Sequence, residues 1–113
     1  MTNSRQKGAR GEREWRDQLR AAGYTARRGQ QFAGGTESPD VICEELDSVI
    51  HFEVKRVESL NIHRAMQQAD NDSGSKIPVV ASKRNGEPWL VTMPAEAFFE
   101  ILRDGIDALK NNQ

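Results

Sequence analysis

Apolar and polar residues alternate with a period of two through SPDVICEELDSVIHFEVK, residues 38–55. Folded as a hairpin, this stretch puts Val41, Cys43, Ile50, Phe52 and Val54 on one face. Asp40, His51, Glu53 and Lys55 gather on the other. The pattern predicts strands near 39–43 and 49–55, joined by EELDS. Upstream, KGARGEREWRDQLRAAG carries Trp15, Leu19 and Ala22 at helical spacing and stops at Gly23, which predicts a helix over 7–22. Extended back one step, its apolar stripe lands on Glu12, a carboxylate on an inward face. Tyr24 to Arg28 reads as a short strand, and GQQFAGGTES (29–38) as a Gly-rich polar loop. A helix over 59–72 turns Leu60, Ile62, Met66 and Ala69 inward. IPVVASK and PWLVTM, separated by a turn at Asn85-Gly86, form a second hairpin signal. Pro94 starts a last helix with Phe98, Ile101, Leu102, Ile106 and Leu109 as its apolar stripe. The order αβββαββα predicts an α/β fold with a mixed central sheet flanked by helices.

Length adds one boundary: 113 residues suit a single domain over 1–113, with 1–6 and 110–113 frayed. No apolar run is long enough for a membrane span, and no signal peptide is expected. The single cysteine, Cys43, is expected to be inert core and fits a reducing cytoplasm, bacterial, archaeal or of a phage-infected host. His51 and His63 stand apart, so zinc spacing is missing. The net charge of −1 conceals an asymmetry. Residues 1–28 hold eight Lys/Arg against three acids; the remainder holds eight against fourteen. A basic edge beside an acidic body suits a polyanion, although a solvated basic helix has the same signature.

The charged face of the hairpin carries the chemistry. With 45–48 as a four-residue loop, residue 44 pairs with 49, so Asp40 faces Glu53. Two carboxylates directly opposed across a strand pair destabilise it, unless a cation sits between them or one keeps a proton. Converging carboxylates, with a backbone carbonyl, form an oxygen-rich site suited to Mg²⁺, with Mn²⁺ substituting. Lys55, two residues beyond Glu53 on the same face, is placed to polarise a water or neutralise a phosphate. Glu12 would complete the site from the first helix. The bland alternative is a surface ion-pair cluster.

Ser38-Pro39-Asp40 followed by Glu53-Val54-Lys55 resembles the PD-(D/E)xK nuclease superfamily. The helix start Lys7-Gly8-Ala9, then Glu12-Arg13-Glu14, then Leu19 and Gly23, is similar to archaeal-type Holliday-junction resolvases and their phage relatives. Arg28 and Gly29–Gly35 occupy the places of that family's arginine and loop, although the 29–38 loop is longer than usual. The resemblance covers roughly residues 5–56 by motif. It implies a restriction-endonuclease-like core. It implies that Glu12, Asp40, Glu53 and the Val54 carbonyl bind the divalent metals and that Lys55 positions the attacking water. It implies that Arg13 and Arg28 meet the phosphodiester backbone. Lys7, Arg10 and Arg27 extend that basic edge, and Gln67, chosen over Gln68, is the candidate site glutamine of the following helix.

The expected activity is metal-dependent hydrolysis of DNA, structure-selective at Holliday (four-way) or branched junctions. The sheet's polar face and the basic first helix would form the trough for the backbone. Symmetric resolution needs two sites, hence a homodimer, with Trp89, Phe98, Phe99 and Ile106 as candidate interface. One alternative is a phage nuclease that nicks or degrades DNA without junction preference. Another is a catalytically inactive DNA- or partner-binding module. His51 is read as a structural histidine, and Trp15 and Trp89 as core or interface rather than base-stacking residues.

Overall fold

The computed structural model describes residues 4–29 and 39–111, with side chains of 8–29 and 39–105. The element order is that of the sequence pattern: α1 (Ser4–Ala21), β1 (Ala26–Arg28), β2 (Val41–Cys43), β3 (Ile50–Arg56), α2 (Ile62–Ser73), β4 (Ile77–Lys83), β5 (Leu90–Thr92) and α3 (Ala95–Asn111). The strands form one sheet in the order β1-β2-β3-β4-β5. β3 and β4 run parallel over seven residue pairs, and the other neighbours are antiparallel. Parallel neighbours need a crossover, which α2 supplies.

Each face of the sheet takes one helix. Trp15 and Leu19 of α1 pack on Phe52, Val54, Val79 and Ala81. Ala65 and Ala69 of α2 pack on Val80 from the opposite side. Because residues alternate along a strand, the side that holds Val80 also holds its partner Glu53, together with His51 and Lys55. The charged face of the hairpin is therefore roofed by α2, while α1 lies behind it. The trough expected from that face and α1 is not continuous along the sheet; the two come within reach at its end, where the Glu12 charge acts on Asp40.

α1 closes with Tyr24 N–H donating to the Leu19 carbonyl and Gly23 N–H to that of Arg20, with Gly23 at φ 100°. This is the paired C-terminal closure that glycine favours. The helix starts earlier than expected, at Ser4, and Ala22 lies exposed beyond its end. α3 likewise reaches Asn111, into the stretch expected to fray. The inward stripe of α1 runs through Gly11, Trp15 and Leu19, not Glu12, which is only half-buried. A Cβ at Gly11 would lie 2.6 Å from the Arg56 Cβ. Gly11→Ala is expected to destabilise the protein by about 1–3 kcal/mol in urea unfolding, because that overlap outweighs alanine's better helix propensity. Unchanged or raised stability would show that α1 does not approach β3 so closely.

Arg56 locks this corner. Its Nε lies 3.1 Å from Glu14 of α1, and another guanidinium nitrogen lies 2.9 Å from the Asn85 side-chain oxygen in the β4–β5 turn. Burial pushes the Glu14 carboxyl up, but hydrogen bonds from Arg10 and Arg56 hold it below the usual carboxylate range. In that turn Gly86 sits at φ 77°, while no non-glycine residue described has positive φ. The turn is therefore not the doubly left-handed form that joins two-residue hairpins.

α2 starts at Ile62, later than expected, with the Asn61 side chain accepting from Arg64 N–H. Its buried line is Ala65, Ala69 and Ser73, with Leu60, Ile62 and Met66 at the margin. α3 departs furthest from expectation. Among its described side chains only Ala97 is buried, and Phe98, Phe99 and Ile101 are exposed. Phe98 and Ile101 of the predicted stripe do not join the core, Leu102 is half-buried, and Ile106 and Leu109 lie outside the described side chains. Trp89, a candidate for the interface, instead packs on Trp15 with ring centroids 5.2 Å apart. Among the described residues no helix is long and apolar enough to cross a membrane.

Candidate active site

The site begins where β1 and β2 diverge. Val41 pairs with Phe52, so the antiparallel register sets Asp40 opposite Glu53, as the sequence predicts. Gly29 N–H donates to the Asp40 carbonyl at 2.9 Å, and Asp40 N–H donates to that of Phe52 at 3.0 Å. A Cβ at Gly29 would lie 1.9 Å from the Pro39 carbonyl oxygen, so only glycine lets these segments approach so closely. Regular pairing ends at Val41, and the Asp40 side chain takes over from the backbone: Val54 N–H donates to its Oδ2 at 2.8 Å. The acid is thereby pinned against β3.

Asp40 and Glu53 are both buried, 8 % and 4 % exposed. The Asp40 carboxyl is pushed up from 3.8 to about 7. Burial is the largest cause, followed by the Glu53 charge; the Val54 N–H opposes them, and the Glu12 charge adds to the rise. A hydrogen bond with the Glu53 side chain is the smallest of the contributions to the rise. A buried acid that must retain a proton near neutrality is in a position to exchange it for a cation. The donors are hard oxygens, the set that Mg²⁺ or Mn²⁺ prefers.

Glu53 meets His51 on its other side, Nε2 to Oε1 at 3.0 Å, both side chains almost fully buried. Lys55 is half-buried, and its Nζ donates to Oε1 of Gln68 at 3.0 Å. The glutamine that meets Lys55 is Gln68; both it and Gln67, the candidate named from the sequence, lie on the exposed side of α2. The helix begins three residues later than the sequence suggests, and its contact with Val80 sets which of two adjacent glutamines turns toward β3.

Glu12 stands apart from the other two acids. Its Oε1 accepts from Arg28 at 3.1 Å. Its charge reaches Asp40, yet among the described residues no group of three or more His, Cys, Asp or Glu is arranged to hold a metal ion. Asp40, Glu53 and the Val54 backbone come together; Glu12 and Arg28 form a second pair beside them. Arg13 is exposed on α1, Arg10 pairs with Glu14 at 2.8 Å, and Arg27 pairs with Glu44 at 2.9 Å. The Lys7 side chain, Ser38 and the loop 30–38 lie outside the described residues. Cys43 is buried, and burial pushes its thiol up, as befits an inert core residue.

Among curated proteins none matches the sequence. Among solved structures, the Holliday junction resolvase Hjc of the archaeal hyperthermophile Archaeoglobus fulgidus has the same fold, with a TM-score of 0.51 and 23% identity. The likeness covers 77% of this chain and 72% of that one. The model of the archaeal Holliday junction resolvase (Hjc) family matches residues 3–107. That span takes in both acid-bearing strands, α1 and the roofing helix α2, and it places the chain in the archaeal Holliday junction resolvase family of nucleases.

Proposed function

We propose that this protein is a divalent-metal-dependent endonuclease that resolves Holliday junctions or other branched DNA, working in the cytoplasm. The observation that carries the metal dependence is the buried Asp40–Glu53 pair, in which Asp40 holds its proton to about pH 7. Asp40, Glu53 and the Val54 carbonyl would hold the metal, with Glu12 as a further carboxylate. When bound, a divalent cation supplies Lewis-acid stabilisation of the charge that develops on the scissile phosphate and the leaving 3′ oxygen.

The chain's own residues do the rest. Asp40 would hold the cation as a carboxylate, its proton released to solvent. Lys55, steadied by Gln68, orients the attacking water and offsets negative charge at the phosphate. Arg28 exchanges Glu12 for a phosphate oxygen, a contact that guanidinium geometry suits, and so frees the Glu12 carboxylate. Arg13, with Lys7, Arg10 and Arg27, meets the backbone on either side. Such contacts position DNA and read little sequence. One site cuts one strand, so symmetric resolution calls for a second copy. The exposed Phe98, Phe99 and Ile101 of α3 offer the apolar surface for it.

A cleavage panel tests the reading. The protein is incubated with a four-way junction, a Y-fork and linear duplex, in Mg²⁺, Mn²⁺ or EDTA. Paired symmetric nicks on the junction, lost in EDTA, are the expected result. Cutting in EDTA would remove the metal requirement, and equal cutting of all three substrates would remove junction selectivity. No cutting in either metal would leave a binding module.

A further inference from the structure

Glu53 has two oxygens, and only one faces His51. The imidazole Nε2 lies 3.0 Å from Oε1. His51 is 2 % exposed and is the largest fully buried side chain described. A carboxylate offers no proton, so the ring nitrogen facing it carries one and donates. Lys55, the nearest lysine along the strand, turns instead to Gln68. The ring comes from the same strand, two residues earlier, and points along the same side of the sheet as Glu53. The ring is almost wholly buried beside its strand neighbour Pro78, and the residue lines a small cavity together with Pro39, Asn71 and Asp72.

We infer that His51 is a positioning residue for Glu53: by holding Oε1 it fixes the carboxylate so that Oε2 is presented toward Asp40 for a divalent cation. The inference rests on the metal reading above and adds a residue to it. A structural histidine would merely satisfy a buried acid. A positioning histidine also sets how tightly the cation is held, because groups that orient a metal's ligands govern affinity as well as geometry. Loss of such a partner costs about 10–100-fold in metal affinity. The group that must be kept is a hydrogen-bond donor at the Nε2 position, not an imidazole as such. Glutamine carries its amide nitrogen at a comparable reach; leucine keeps much of the volume and has no donor.

The test reads metal binding without DNA or turnover. Mn²⁺ is titrated into the full chain, with free Mn²⁺ followed by electron paramagnetic resonance. The wild type, His51→Gln, His51→Leu and Glu53→Gln are compared, and thermal unfolding confirms that each is folded. The expected result is Mn²⁺ binding by the wild type, about tenfold or more weaker binding by His51→Leu, and recovery to within about threefold in His51→Gln. Wild-type affinity in folded His51→Leu would overturn the positioning role while leaving the metal site intact. His51→Gln binding tenfold more weakly than the wild type would also overturn it, even if His51→Leu does not fold. If the wild type binds no more Mn²⁺ than Glu53→Gln, the metal reading fails, and the role of His51 fails with it.

Discussion

Glu53→Gln is expected to lower junction cleavage by about three orders of magnitude or more while leaving junction binding at wild-type strength or tighter. The substitution keeps shape and hydrogen bonding. The new side-chain oxygen still accepts from His51, and the amide can donate to Asp40, which is relieved of the Glu53 charge but keeps the burial that is the larger cause of its raised carboxyl. What disappears is one of two buried negative charges that would hold a cation. Binding does not suffer, because DNA is a polyanion and one repelling charge has gone. Cleavage gels and gel-shift titrations on the same four-way junction separate the two effects. Near-wild-type cutting would mean that the chemistry lies elsewhere. Loss of binding together with cutting would mean that Glu53 shapes the DNA surface rather than the reaction.

Asp40→Asn is expected to stabilise the metal-free protein above neutral pH and to flatten its pH dependence. Folding raises the Asp40 carboxyl from 3.8 to about 7. Between those limits the folded chain holds a proton that the unfolded chain has released. Stability therefore falls as pH rises through this window, and the full penalty is present above about pH 7. The displacement corresponds to about 4 kcal/mol. Asparagine's oxygen can accept from Val54 N–H and its amide can donate to Glu53, with no charge to repel. Urea unfolding in EDTA should then place Asp40→Asn about 2–4 kcal/mol above the wild type at pH 8, and level with it near pH 4. Addition of Mg²⁺ should narrow or reverse the gap, since a cation that binds only the folded wild type stabilises it. A less stable Asp40→Asn at pH 8 would show that the Asp40 charge is satisfied within the metal-free fold and that the two acids do not repel.

The acid pair was legible because strand alternation and antiparallel register are arithmetic. Asp40 and Glu53 share an index sum with Val41 and Phe52, and that sum needs only the loop length. The resemblance carried by Pro39-Asp40 and Glu53-Val54-Lys55 pointed to a nuclease for the same reason, since motif spacing survives in one dimension. Glu12 was less legible. The spacing of Trp15 and Leu19 marks a helix face only to within one residue. Gly11 takes the contact with β3 because it is the smaller of the two adjacent candidates, and Glu12 is turned aside to Arg28.

The sequence alone determined the order of elements, the mixed sheet, the facing carboxylates and the lysine beside them, all of which follow from local periodicity. Only the tertiary structure decided that α2 roofs the charged face, that Gln68 rather than Gln67 reaches Lys55, that His51 grips Glu53, and that Phe98 and Phe99 stay outside the core. The physical reason is common to all four. Periodicity says which residues share a face. Which neighbour covers that face, and which charges it shuts away from water, depends on packing between segments far apart in the chain.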